Sequence, residues 1–404
     1  MTGGALSDVK VLDLMWVMAG PAATRMLADH GATVVRIEST RRIDTARTLA
    51  PFFDAVPGPE RSGCFQNLNV GKRMLTLDPT TPAGRGVFLD LVRWADVVTE
   101  SFAPGTMARW GLDWPVLRGV KPDLVMVSSC LMGQTGPLAG FAGYGNLAAA
   151  ISGFSNLGGW PDRPPAGPFS AYTDYVSPRF LAVAILAALE HRRRTGEGQL
   201  VDLSQAEASL HFLGPALLDR QVNGRTMTRR GNRDPELTPH GVYPAAGRDR
   251  WIAIAVDGDA AFAALCAVLE RPALAADARF ATRDARHAHT DALDEAVAAA
   301  TAAHDMHDLA GRLQAAGVAA HAVQNSAELL ADPQLRHREH FVAVPHPERE
   351  TVTLENARFR LSRTPAAVRG PAPTWGADTD WVLRTLLGYD DARITELVAA
   401  GALE

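Results

Sequence analysis

Asp174 is the acidic residue whose surroundings in the chain suit covalent chemistry. It lies in Ala171-Tyr172-Thr173-Asp174-Tyr175, three residues ahead of Ser177-Pro178 and an almost wholly apolar run, Phe180 to Leu189. Serine followed by proline forms an N-cap and first-position pair, so this run reads as a buried helix that begins there. A carboxylate just ahead of such a start feels the positive end of the helix dipole, which favours its ionised form. With a reference pKa of about 3.9, an aspartate needs no general base to act as a nucleophile at neutral pH. The same residue also suits an ordinary loop position capping the following turn, and the local sequence leaves both readings open. Asp202 and Glu207 are accounted for by a strand end and by the capping-box pattern Ser204-Gln205-Ala206-Glu207. None of the 12 histidines stands in a serine or cysteine catalytic motif, and no metal-ligand spacing occurs, so no metal is expected.

A second group of residues suits phosphate. Asn69-Val70-Gly71-Lys72-Arg73 precedes a strand, where a loop can present two cations and a polar side chain. Arg36, Arg41 and Arg42 sit at the end of another strand. Either set also reads as solvated surface charge. Their placement favours a ligand if the sheet is parallel, because loops after different strands then converge on one edge. A dinucleotide fingerprint is absent: the first turn, Met15-Trp16-Val17-Met18-Ala19-Gly20-Pro21, has one glycine, although Glu38 stands where a ribose contact would.

The elements that must position these residues alternate. Val9 to Leu14, a helix from Pro21 to Gly31 and a strand from Ala32 to Ile37 form a βαβ unit. Met74 to Leu77, Asp96 to Thr99 and Leu124 to Ser128 read as further strands, with a helix over Pro82 to Trp94. This is an α/β pattern with a mostly parallel sheet covered on both faces. Gly143 to Pro168 reads as loops, and Leu200 to Leu203 as a strand. After Asn223-Gly224 the Arg-rich stretch to Arg233 reads as a linker. A second unit follows, with strands at Trp251 to Val256 and Ala319 to Val323. Its helices span Ala260 to Leu269, Leu293 to Ala303 and His307 to Ala316. The chain closes with helices over Thr379 to Leu387 and Asp391 to Ala400. The expected division is 1–224, 225–330 and 331–404, the last segment returning to the first domain.

At 404 residues, 47% apolar and 21% charged, the chain is of ordinary globular composition and long enough for two domains. A net charge of −5 argues against nonspecific nucleic-acid binding, and three scattered cysteines form no disulfide framework. No run is long and apolar enough for a membrane span and no signal peptide opens the chain, so a cytoplasmic protein is expected.

Taken together, these residues resemble the family III CoA-transferases, the CaiB/BaiF family. The most specific stretch runs from Arg194-Thr195-Gly196-Glu197-Gly198-Gln199 to Ser204-Gln205-Ala206-Glu207-Ala208, with Asp174 twenty residues before Arg194. Val11-Leu12-Asp13-Leu14, Phe102-Ala103-Pro104-Gly105 and Gly133-Gln134-Thr135-Gly136-Pro137 add to it. The resemblance implies an interlocked homodimer, each subunit having a Rossmann-like large domain and a smaller α+β domain. It implies that Asp174 is the nucleophile, forming an aspartyl mixed anhydride and then an aspartyl-CoA thioester. It implies acyl-CoA and carboxylic acids as substrates, with no tightly bound cofactor, and coenzyme A held by Val17, Arg36, Asn69, Lys72, Arg73 and Arg109. Ser101-Phe102-Ala103 lacks an arginine that many members carry, and Thr238-Pro239-His240-Gly241 is a weak substitute for their glycine-rich loop. The racemase branch uses a Gly-His-Asp segment where this chain has Gly143-Tyr144-Gly145-Asn146, so its histidine is missing. A non-catalytic acyl-CoA-binding protein is the remaining alternative. The Tyr172 to Phe180 region resembles members using succinyl-CoA, with Arg179 or Arg47 as a partner for a second carboxylate.

Overall fold

The computed structural model describes residues 4–403. They fall into two compact units. The larger takes the chain up to Ser155, Gly167–Met227 and everything from Arg336 on; the smaller takes Asn156–Ala166 and Thr228–Leu335.

The larger unit is built on a six-stranded sheet of β1 (Lys10–Leu14), β2 (Thr33–Glu38), β3 (Arg73–Thr76), β4 (Val97–Glu100), β5 (Val125–Cys130) and β6 (Gln199–Ser204). Its order is β3-β2-β1-β4-β5-β6, with every pairing parallel. Successive side chains in a strand point to opposite faces, so the inner strands feed two cores, whereas the edge strand β6 packs one face and leaves Leu200 on the other 43% exposed. Leu12, Val35, Leu75 and Val98 pack with Phe88 and Leu91 of the Pro82–Trp94 helix and with Val382, Leu383 and Leu397 near the end of the chain. On the other face Val11, Val34, Val97, Val125 and Val127 meet Leu27 of the Ala19–Asp29 helix and Leu181 and Ile185 of the Tyr172–Thr195 helix. Burial on both faces explains why these strands read as near-continuous apolar runs. The Pro82–Trp94 helix begins as expected, with the Thr81 side chain accepting from Gly84 N–H and proline in the first position. A hairpin of β10 (Phe341–His346) and β11 (Arg349–Glu355) completes this unit.

The smaller unit has an antiparallel sheet of β7 (His240–Pro244), β8 (Trp251–Ala255) and β9 (Ala319–Ala322), in that order. Its core joins Ile252 and Ile254 to Phe262, Leu293, Val297, Leu309 and Leu313 from three helices.

Three local expectations change. The helix read as starting at Pro178, with Ser177 as its cap, starts six residues earlier, at Tyr172, so Pro178 lies inside it and Asp174 in its first turn. Proline has no N–H, so the ladder bond that residue 178 would give to the Asp174 carbonyl is missing; the helix absorbs this break and continues to Thr195. Thr238 to Gly241 is not a glycine loop: His240 and Gly241 are paired in β7 with Ala255 and Ile254. The loop region from Gly143 to Pro168 contains two short helices, Gly145–Ile151 and Phe154–Leu157.

Candidate active site

The strand order reverses between β1 and β4, which leaves a crevice beyond the carboxyl ends of the strands. A cavity of about 530 Å³ occupies that position, lined by Trp16, Arg41, Arg42, Phe102, Arg109 and Trp110 among others. Its aromatic wall is continuous: Trp16 and Phe102 stand edge to face at 5.6 Å, and Phe102 and Trp110 at 5.0 Å. The Arg42 guanidinium lies 5.6 Å over the Trp16 ring. Arg109 is exposed at the rim, its Nη2 donating to Thr106 Oγ1 at 2.8 Å. The combination suits a ligand with an aromatic body and anionic groups.

Beneath this crevice a buried charge cluster fixes the turn after β1. Val17 has φ +65°, a conformation that costs a β-branched residue free energy and persists only when its surroundings hold it. Its N–H donates to Asp44 Oδ1 at 2.9 Å, and Asp44 also pairs with Arg36 at 2.5 Å. Arg36 reaches the Met15 carbonyl as well, and its side chain is wholly buried. Lys72 Nζ donates to Asp13 Oδ2 at 2.9 Å, to Asn69 Oδ1 at 2.9 Å and to the Pro21 carbonyl at 3.1 Å. These three bonds use all its donors. Burial pulls the Lys72 ammonium down to about 8, with Asp13 opposing the shift.

Of the six residues expected to hold coenzyme A, the fold therefore brings Val17, Arg36, Asn69 and Lys72 together under one turn. Arg36, Asn69 and Lys72 spend their polar ends inside the protein. Arg109 lines the crevice itself. Arg73 stands apart at the amino end of β3, paired with Asp378 at 2.6 Å and lying 4.0 Å over the Trp381 ring. Arg47 is also fully buried, between Glu38 at 2.8 Å and Glu60 at 2.9 Å, whereas Arg179 is exposed on the Asp174 helix.

Asp174 is 6% exposed. The Gln205 carboxamide donates to its Oδ1 and, at 2.9 Å, to Thr173 Oγ1. Thr173 Oγ1 donates in turn to the Gly145 carbonyl at 2.9 Å, which places the Gly145 backbone against the Asp174 carboxylate. Gly145 has to be glycine: a Cβ there would lie 2.8 Å from Asp174 Cγ and Oδ1. Burial pushes the Asp174 carboxyl up to about 6, against the Gln205 hydrogen bond and the nearby Gly145 backbone, which favour the carboxylate. The sequence argument from the helix dipole had the opposite sign, because it did not count desolvation. Cys64 feels the charges of both Asp174 and Asp44, and burial holds its thiol up at about 11, so it stays neutral beside the carboxylate.

Gln205, Thr173, Gly145, Asp44 and Cys64 are the site residues that reading the chain missed. Gln205 passed as an interior position of a capping pattern, and Gly145 as a loop glycine. Their roles arise from contacts across 28 to 31 residues, to which local spacing is blind.

Fold and site define a parallel α/β protein with a ligand crevice at its topological switch point and a buried, hydrogen-bonded carboxylate. Residues 6–379 match CoA-transferase family III, and the chain belongs to that family. It is 33% identical to succinyl-CoA–D-citramalate CoA-transferase of Chloroflexus aurantiacus over 98% of this chain and 97% of the relative. It is 34% identical to succinate–glutarate CoA-transferase of Agrobacterium fabrum over 94% of this chain and 95% of the relative. A CaiB/BaiF family protein from Brucella suis superposes with a TM-score of 0.87 at 31% identity, covering 96% of this chain and 100% of that one. The protein is thus an enzyme, a CoA-transferase acting between an acyl-CoA and a carboxylate.

Proposed function

We propose that the transfer runs through Asp174. Its carboxylate attacks the carbonyl of an acyl-CoA, the C–S bond breaks, and CoA leaves as thiolate from a mixed anhydride. The thiolate then attacks the aspartyl carbonyl, the donor acid departs as carboxylate, and an aspartyl-CoA thioester remains. The acceptor carboxylate repeats these two steps in reverse order and leaves as the new acyl-CoA. Each step exchanges one anion for another, so no proton has to be moved and no ATP is consumed.

The observation that carries this reading is the buried hydrogen-bond chain in which Thr173, anchored on the Gly145 carbonyl, fixes Gln205, and Gln205 donates to a desolvated Asp174 carboxylate. An aspartate serving only as a helix cap would have solvent or backbone partners, with no buried side chain committed to it. Coenzyme A would lie in the crevice of Trp16, Phe102 and Trp110, its phosphates met by Arg109 and Arg42 at the rim and by backbone at the Val17 turn. Arg36, Asn69 and Lys72 would act on CoA through that turn by holding its shape. CoA enters and leaves as substrate, so no tightly bound cofactor is required. The two relatives named above act with succinyl-CoA or succinate and a second dicarboxylic acid, which supports succinyl-CoA as donor and a dicarboxylate as acceptor. Exposed Arg179, on the same helix as Asp174, would then pair with the remote carboxylate. The resemblance also supports a homodimer.

Incubation with succinyl-CoA, followed by hydroxylamine trapping and peptide mass spectrometry, tests the mechanism. A mass change on the peptide carrying Asp174, absent in Asp174→Ala, is the expected result. Proton exchange at the α-carbon of a 2-methylacyl-CoA with no covalent adduct would replace it with the racemase reading. Arg179→Glu is expected to raise KM for succinyl-CoA at least tenfold with little effect on butyryl-CoA; equal kinetics for both would remove Arg179 from the substrate site.

A further inference from the structure

The hydrogen-bond directions around Asp174 follow from donor counting. Thr173 has one hydroxyl hydrogen, and it goes to the Gly145 carbonyl. Its oxygen can therefore only accept from Gln205, which turns the NH₂ end of that carboxamide inward. One amide hydrogen binds Thr173, and the other is left facing Asp174 Oδ1. Gln205 is 7% exposed and Thr173 fully buried, so water does not compete for these donors. The Gly145 backbone lies against the same carboxylate. A fixed, buried donor at this carboxylate does more than orient it.

We infer that Gln205 is the oxyanion-stabilising group for the steps in which the tetrahedral carbon belongs to Asp174 itself. This inference rests on the reading of Asp174 as nucleophile. When CoA thiolate adds to the aspartyl carbonyl of the mixed anhydride, a C–S bond forms and the C=O π pair moves onto Oδ1. Collapse returns that pair, breaks the C–O bond to the donor acid and expels it as carboxylate. When the acceptor carboxylate adds to the aspartyl-CoA thioester, the same oxygen takes the charge and thiolate leaves. Oδ1 goes from carbonyl to oxyanion and back twice per turnover, and Gln205 Nε2 is aimed at it throughout. The first attack differs: there the charge develops on the acyl-CoA carbonyl oxygen, which Gln205 does not face in this arrangement. A donor aimed where charge develops, in a water-excluded site, typically contributes about 10²–10³-fold in kcat.

The test compares wild type with Gln205→Met, which keeps the volume and removes the donors, using the full-length enzyme and succinyl-CoA. The expected result is a kcat about 10²-fold lower or more, with KM for succinyl-CoA within threefold. In rapid-quench mass spectrometry, the CoA adduct on the Asp174 peptide should form more slowly by the same factor. Thr173→Val, which retains the Gln205 donors but releases their orientation, should fall between the two, near tenfold. It also serves if Gln205→Met does not fold. Adduct formation and kcat within threefold of wild type in either folded variant would overturn the inference and leave Asp174 as nucleophile. Failure of the wild type to form any adduct would remove the nucleophile and this inference with it. A change in KM alone would assign Gln205 to substrate binding and equally overturn the claim.

Discussion

At the scale of single residues, the decisive competition is between desolvation and hydrogen bonding at Asp174. Burial wins and leaves the carboxyl near 6, which keeps the carboxylate available at neutral pH while making it more basic than a solvated aspartate. The pH profile follows from the proposed role: kcat/KM should fall about tenfold per unit below roughly pH 6, as Asp174 takes up a proton. A flat profile down to pH 4.5 would show that the ionising group lies elsewhere. The same shift has a stability sign. A carboxyl raised above its unfolded value stabilises the fold while protonated, fully so below the unfolded pKa of 3.8, and this contribution is lost as pH rises through 6. The wild type therefore carries a strained anion at pH 8 that Asp174→Asn does not, worth up to about 3 kcal/mol. The variant should melt higher than wild type at pH 8, and by a smaller margin at pH 4.5, while being inactive. Gly145→Ala probes the same carboxylate sterically. Its Cβ would be driven against Asp174 at 2.8 Å, so activity should drop more than a hundredfold; full activity in a folded variant would contradict the close approach.

At the scale of elements, two interruptions of regular structure aim the site. Pro178 deletes the bond to the Asp174 carbonyl one turn after that residue, and Val17 is held at positive φ where β1 turns toward the crevice. Pro178→Ala restores a ladder donor and should stabilise the helix by about 1–3 kcal/mol in thermal unfolding. It should also lower kcat, because the first turn would relax toward ideal geometry; a gain in both would show that the proline does not position Asp174. These interruptions mark what the chain discloses and what it hides. The inner strands of the large sheet are legible because burial on two faces demands uninterrupted apolar runs, and the helix over Pro82 to Trp94 is legible because proline suits a helix's first turn. The true start of the Asp174 helix was not, since Ser177-Pro178 carries every mark of a beginning and the residues before it are polar and aromatic. Asp174 itself stood out through the family resemblance carried by Thr195-Gly196-Glu197-Gly198-Gln199. Its partners did not, because Gln205 reaches it only after β6 has paired with β5. Likewise a lysine and an arginine near a crevice look like phosphate ligands until the fold supplies Asp13 and Asp44 to consume them.

At the scale of the whole molecule, the Gly214–Asn223 helix poses a packing problem that one subunit does not solve. None of its ten residues is buried, and Leu217, Leu218 and Val222 are 48%, 57% and 76% exposed. A ten-residue helix is marginal in water without a packed apolar face. Phe212, half exposed just before it, extends the same apolar surface. A second copy of the chain, as in the homodimer proposed above, would cover such a patch. Light scattering on the wild type at micromolar concentration should give twice the chain mass of 43.2 kDa. Leu218→Glu with Val222→Glu places two charges where the apolar face would close, and should shift the mass toward that of one chain. Helicity should fall with it, because the helix loses the contact that holds it. A wild type that sediments as a monomer, or a double variant that stays dimeric, would mean that this helix is covered by something other than its own copy.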